Sequence, residues 1–399
     1  MKEPESNSSI FSYQGVPIWR DDRVLKGVAQ VISALIVLGF LYFFISNVLV
    51  AADARGLSLG FDFLDEAAGF PLGESVIIDY DPSMSFLQAF AVGLLNTLKV
   101  SLIGIVLATF LGILVGVARL STNWLIRNIA NVYVEMFRNI PLLVTLFFIY
   151  FGVFQQLPSV QESFAIGRYI FLNQRGIYMA WFSSTSSTLA WTVILAIAIV
   201  LAMIVFVILG RYQISKGKET HPFLWALGIS VILPLAGWFI LPDKPLLVTL
   251  PVLARFNFEG GTVLTTQFTA LLLGLVLYTA AFIAEIVRAG IQAVSKGQVE
   301  AARAIGLRPM QALRLVIFPQ SLRVIIPPLI SQYLNLTKNS SLAIAIGYPD
   351  LFSVGKITIN QAGRAVPVFI MIMATYLLIS LTYSVILNLY NRRITFEER

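Results

Sequence analysis

The chain has 399 residues, 57% hydrophobic and 12% charged, with a mean hydropathy of +0.82; that balance excludes a soluble protein with a large core and marks an integral membrane protein. Its net charge of +7 does not mark a nucleic-acid binder, because the lysines and arginines are scattered among loops and not gathered on one face. No cysteine and a single histidine, His221, exclude disulfide frameworks, thiolate chemistry and histidine-rich metal sites.

In chain order, residues 1–24 are polar and carry Pro4, Gly15 and Pro17, as expected of a poorly ordered tail. Residues 28–50 are almost wholly apolar and follow Arg20, Arg23 and Lys26. This run of roughly 23 residues exceeds the apolar core of a cleaved signal, about 7–15 residues, so a retained helix is expected although Ala52 and Ala54 imitate a cleavage site. Residues 51–88 are acidic: Asp53, Asp62, Asp65, Glu66, Glu74, Asp79 and Asp81 stand against Arg55 alone, as expected of a solvated external loop.

Further spans are expected near 89–118, 139–157, 188–210, 223–241, 266–288, 322–345 and 366–390. The fold class is therefore an all-α integral membrane protein with about eight transmembrane helices. Lysine and arginine favour one side by about two to one, which places both termini and the loop after the sixth span in the cytoplasm.

That loop, with the start of the next span, is the most informative stretch: SKGQVEAARAIGLRPMQALRLVIFPQ, 295–320. Glu300, Ala301, Ala302 and Ala304 are strong helix formers, and the alanines let another surface approach the backbone. Gly306 suits the left-handed position past a helix end, and Pro309 the first turn of the next helix. Two short helices joined at GLRP are expected, the second broken by Pro319 just before the membrane.

The spacing of EAA, Gly306 and VIFP at 316–319 resembles the EAA loop of the membrane subunits of ABC importers. Val316 and Phe318 stand where that pattern more often has Ile and Leu. AEIVRAGI (284–291), GQVEAARAIGL (297–307), FPQSLRVIIPPL (318–329), LTKNSSLA (336–343), GLLNTLKVS (93–101) and YVEMFRNIPLLV (133–144) resemble the permeases for polar amino acids. The resemblance implies a type I importer permease core in the bacterial inner membrane, divided over 89–157 and 262–391. Around it lie an extra helix with its loop (1–88), an inserted helix pair (158–261) and a tail (392–399), a layout similar to the longer-chain subunits of general L-amino-acid importers. It further implies an ABC ATPase dimer holding ATP and Mg, a second, related permease subunit, a periplasmic amino-acid-binding protein, and coupling through Glu300, Ala301, Ala302, Gly306, Leu307 and Pro319.

No phosphate loop occurs; GKIT at 355–358 lacks the earlier glycine. The chain is thus expected to bind no cofactor and to be no enzyme, and uphill transport needs a partner ATPase or an ion gradient. Ion-coupled carriers use intramembrane acids, for which Glu285 is the candidate, although Arg288 one turn on offers it a local pair. Asn335, Lys338, Asn339 and Ser340, with Thr337 and Ser341, interrupt an apolar span; they either line a substrate path or pack helices. Arg138 and Asn139, before Pro141, are expected to orient the chain at the cytoplasmic interface.

Overall fold

The computed structural model describes residues 12–13, 16–17, 22–54, 59–75, 77–217 and 219–394. Most of the expected tail 1–24, Arg55, and residues 395–399 of the tail 392–399 lie outside the described residues. Seven described helices are long and apolar enough to cross a membrane, and one bent pair brings the spans to eight.

Helix α1 (Asp22–Ala54) has none of its apolar window buried within the chain, as a lipid-facing helix should. Helix α2 (Phe86–Ala118) starts at Ser85 with a capping box, in which the Gln88 N–H donates to Ser85 Oγ (3.3 Å) and the Ser85 N–H to Gln88 Oε1 (3.0 Å). Helix α3 (Trp124–Asn139) is capped by Asn123, and α4 (Leu142–Phe147) continues through a π-helical turn to Gln156. The two meet at 107°. Pro141 explains the bend: a residue before proline is pushed out of the helical region, and Ile140 is extended (φ −93°, ψ 129°). The span expected at 139–157 is thus the second limb of a bent pair.

The inserted helices α5 (Thr188–Lys216) and α6 (Pro222–Ile240) pack chiefly on each other. Trp191 Nε1 donates to the Pro234 carbonyl (3.0 Å) and its ring meets Trp238 edge-on. On either side of the pair the insertion forms strands that were not expected. Phe164–Ile166, Ile170–Asn173, Gly176–Met179 and Thr262–Thr265 make one antiparallel sheet, in which Gly176–Met179 lies between the second and fourth strands. The last strand runs directly into α7 (Thr266–Gln292), so the sheet sits over that helix's first turn.

The core is α2 against α7. An added Cβ at Gly112 would lie 2.5 Å from Ile283, and one at Gly116 would lie 2.8 Å from the Ala284 carbonyl, so these two glycines set the close approach. After α7 come α8 (Lys296–Ala304), α9 (Pro309–Ala312), a π-helical turn at Leu313–Ile317, α10 (Phe318–Asn339), α11 (Leu351–Ala362) and α12 (Ala365–Ile394). Pro319 does not break the chain as expected. It occupies the first turn of α10, and the π turn just before it absorbs the hydrogen bond that proline cannot make.

Within the stretch 51–88, the described residues 59–75 and 77–85 pack on the core and do not form the wholly solvated loop expected. Phe63, Ala68 and Phe70 are buried with Phe86, Leu351 and Val354, and Tyr80 Oη donates to the Phe70 carbonyl (3.1 Å). Its aromatic residues anchor it on the start of α2 while most of its acids face outward.

Candidate functional site: the hairpin after α7

Helices α8 and α9 form a hairpin that projects from the core, and its turn follows from its sequence. Helix α8 ends in a paired closure: the Gly306 N–H donates to the Arg303 carbonyl (2.9 Å) and the Leu307 N–H to the Ala302 carbonyl (3.1 Å). Gly306 has φ +83°, the left-handed conformation expected of it. Pro309 takes the first position of α9, and the Arg308 N–H donates to Gln311 Oε1 (2.9 Å).

The turn sorts the motif residues into two faces. Ala302 and Ala312 are buried as α8 packs on α9, so Ala302 serves the hairpin itself and not an outside contact. Glu300 and Ala301 are exposed, and the Glu300 carboxylate makes no hydrogen bond or ion pair among the described residues. Beside them Ile305 and Met310 are 76% and 72% exposed, with Arg303, Arg308 and Arg314 also outward. Leu307 is half-buried and Pro319 exposed. The hairpin thus presents an exposed apolar pair bordered by arginines and one carboxylate.

Beneath the hairpin, Glu285 near the end of α7 gathers three arginines. It pairs with Arg288 on its own helix, as expected, and also with Arg119 at the end of α2; Arg138 at the end of α3 lies 3.8 Å away. Arg119 Nε donates to Asn131 Oδ1 (2.7 Å), and the Arg138 guanidinium stands 5.5 Å from the Phe282 ring centre. Glu285 therefore ties three helix ends together on the hairpin side and does not join the polar residues of α10, where a substrate path was expected. That Arg119 and Arg138 meet Glu285 is not evident from the sequence, because they are distant from it in the chain. The signal was present: each ends a helix that returns to the same side as Glu285.

At the end of α10, Asn335 and Lys338 are exposed and Asn339 is half-buried, and Ser340, just past it, is fully buried. Ser340 Oγ donates to the Thr337 carbonyl (2.8 Å), so in this structure its hydroxyl is turned back on that helix. Lys338 and Ser341 line a groove of about 710 Å³ with Phe352, Met373 and Tyr376. A buried acid was missed close by: Asp350, between spans, caps α11 by accepting from the Ser353 N–H (2.9 Å). Burial pushes its carboxyl up to about 7, partly offset by backbone hydrogen bonds from Ser353 and Phe352 and one from the Tyr376 hydroxyl.

Among the described residues no group of three or more His, Cys, Asp or Glu could hold a metal ion.

Comparison with known proteins places this geometry. Residues 108–396 match the family described as binding-protein-dependent transport system inner membrane component. The putative amino-acid ABC transporter permease protein YhdX of Escherichia coli K12 is 45% identical over 93% of this chain and 94% of its own length. The general L-amino acid transport system permease AapQ of Rhizobium johnstonii is 43% identical over 93% and 92%. The glutamate/glutamine/aspartate/asparagine transport system permease BztB of Rhodobacter capsulatus is 40% identical over 95% and 96%. The ion-coupled alternative finds no support in these relatives or in Glu285, whose carboxylate is taken up by arginines. With the spans, the hairpin and a match over well over half its length, the chain belongs to the family of binding-protein-dependent transport system inner membrane components.

Proposed function

We propose that this chain is one membrane subunit of an ATP-driven importer of polar L-amino acids. The observation that carries the reading is the exposed hairpin, with Glu300, Ile305 and Met310 facing outward from a turn fixed by Gly306. It supports docking of a partner ATPase, which holds the ATP and Mg that this chain has no loop to bind. The distribution of lysine and arginine supports a cytoplasmic hairpin and cytoplasmic termini. A second, related permease chain completes the pathway, and a soluble periplasmic receptor delivers substrate. The substrate class follows the names of the relatives, which are amino-acid permeases.

Nucleotide binding closes the ATPase pair, displaces the hairpin, and moves α7 and α10 together with it, because the hairpin joins these two helices directly, and hydrolysis lets the pair reopen. The test is uptake by the complete transporter in proteoliposomes. Uptake that requires enclosed ATP and the receptor and is indifferent to a proton uncoupler is expected. Uptake abolished by the uncoupler and unchanged without ATP contradicts the reading.

A further inference from the structure

Lys99 lies inside the apolar span of α2, where an uncompensated ammonium is costly. Its partner comes from the segment that packs over the core: Lys99 Nζ stands 2.5 Å from Glu74 Oε1 and 4.2 Å from the Phe268 ring centre. Neutralising one half-buried lysine needs nothing more, yet two further features accompany this pair.

The first is a complete set of anion donors. Thr265 Oγ1 donates to Glu74 Oε2 (2.6 Å), and Thr265 is also the cap of α7, accepting from the Phe268 N–H (3.2 Å). Ammonium and hydroxyl converge on one carboxylate beside the capped start of α7, and the same two groups recognise the carboxylate of a small molecule. The second is an acceptor in need of a donor. Asn96, one turn before Lys99 on α2, is fully buried, and its Nδ2 donates to the Glu74 and Pro349 carbonyls (both 2.9 Å). Those two carbonyls fix the amide's orientation and leave Oδ1 without a partner among the described residues. A buried acceptor left so is costly, and an ammonium would satisfy it.

We propose that Lys99, Thr265 and Asn96 form a receiving site for the α-carboxylate and α-ammonium of an incoming amino acid, and that Glu74 closes this site by occupying the carboxylate position. The proposal rests on the amino-acid importer reading above. Glu74 is a stopper carried on the packed segment, and it must leave before substrate enters. A neutral amine or a simple carboxylate satisfies only half of the site.

The natural chain has no cysteine, so a Glu74→Cys/Thr265→Cys pair gives a lock with no competing thiol in this chain, and the transporter carrying neither cysteine is the control for thiols of the other subunits. In the complete reconstituted transporter, oxidation or a short bifunctional thiol reagent should lower receptor-dependent uptake by about tenfold or more, and reduction of the disulfide should restore it. A locked transporter that imports at the unlocked rate overturns the proposal. Equilibrium binding of radiolabelled L-glutamine to the purified transporter without receptor gives a second measure. Glu74→Ala should tighten binding by about tenfold, and adding Lys99→Met should abolish the gain. A Glu74→Ala transporter with unchanged melting temperature and no gain in binding also overturns the proposal; if that variant does not assemble, the lock decides alone. Failure of ATP-driven uptake in the unmodified transporter strikes the importer reading instead, so the two failures are distinguishable.

Discussion

Gly306 shows how a single residue governs the hairpin. An added Cβ there would meet nothing within 4 Å, so any substitution is opposed by backbone conformation alone. Gly306→Val should destabilise the turn by about 1–2 kcal/mol, since left-handed geometry is disfavoured for residues with a Cβ and most for β-branched ones. Uptake is expected to fall sharply while the rest of the chain melts as before; unchanged uptake would show that the turn does not transmit force. The sequence announced this glycine because a helix end leaves a local signature. It could not announce that Ala302 points inward and Ala301 outward, since that depends on how α8 rests on α9. Asp350 gives a test by pH. Its carboxyl is raised from 3.8 to about 7 in the folded chain, so it favours folding below about pH 4 and loses that contribution as the pH rises towards 7. Thermal melting between pH 4 and 8 should show this decline, and Asp350→Asn should flatten it; an unaltered profile would place the dependence elsewhere.

Elements add what residues alone do not fix. The spans were legible because some twenty apolar residues in succession leave few alternatives. The bend at Pro141 and the uninterrupted entry through Pro319 were less so, because proline permits a kink, a break or a first-turn position and the neighbouring helices choose. The strands of the insertion have only two to four residues each, and GIYM or FLN in an apolar chain does not stand out as an alternation. The packing of 59–85 on the core was hidden by its acids, although Phe63, Phe70 and Phe86 held the clue. The cluster at Glu285 belongs to this scale, because it joins the ends of α2, α3 and α7. Glu285→Gln would leave three guanidiniums without their carboxylate. Its side chain is about a quarter exposed, so screening reduces the expected loss to about 1–3 kcal/mol. A fall in melting temperature accompanied by weakened uptake is the expected result, and full stability would show that Arg119 is held by Asn131 alone.

At the scale of the whole molecule, α2, α7 and α10 form a packed frame with a protruding hairpin on one side and the Glu74 segment and sheet on the other. The frame follows from small residues: Gly112 and Gly116 let α2 lie close on α7 along the length that separates the two sides. Helix α1 and the α5–α6 pair stand largely apart from this frame, with apolar surfaces suited to lipid. Under the proposed function, motion imposed on the hairpin would reach the opposite side through α7, which Thr265 caps at its start and which carries Glu285 near its end. The central claim is that the hairpin is the seat of a nucleotide-hydrolysing partner. The most direct measurement is crosslinking from a single cysteine, Ile305→Cys, in this otherwise cysteine-free chain, within the transporter purified from its native membrane. A crosslink to an ABC ATPase that changes when ATP is added is the predicted result; a purified chain that brings no ATPase, or one whose ATPase never reacts at this position, contradicts the account.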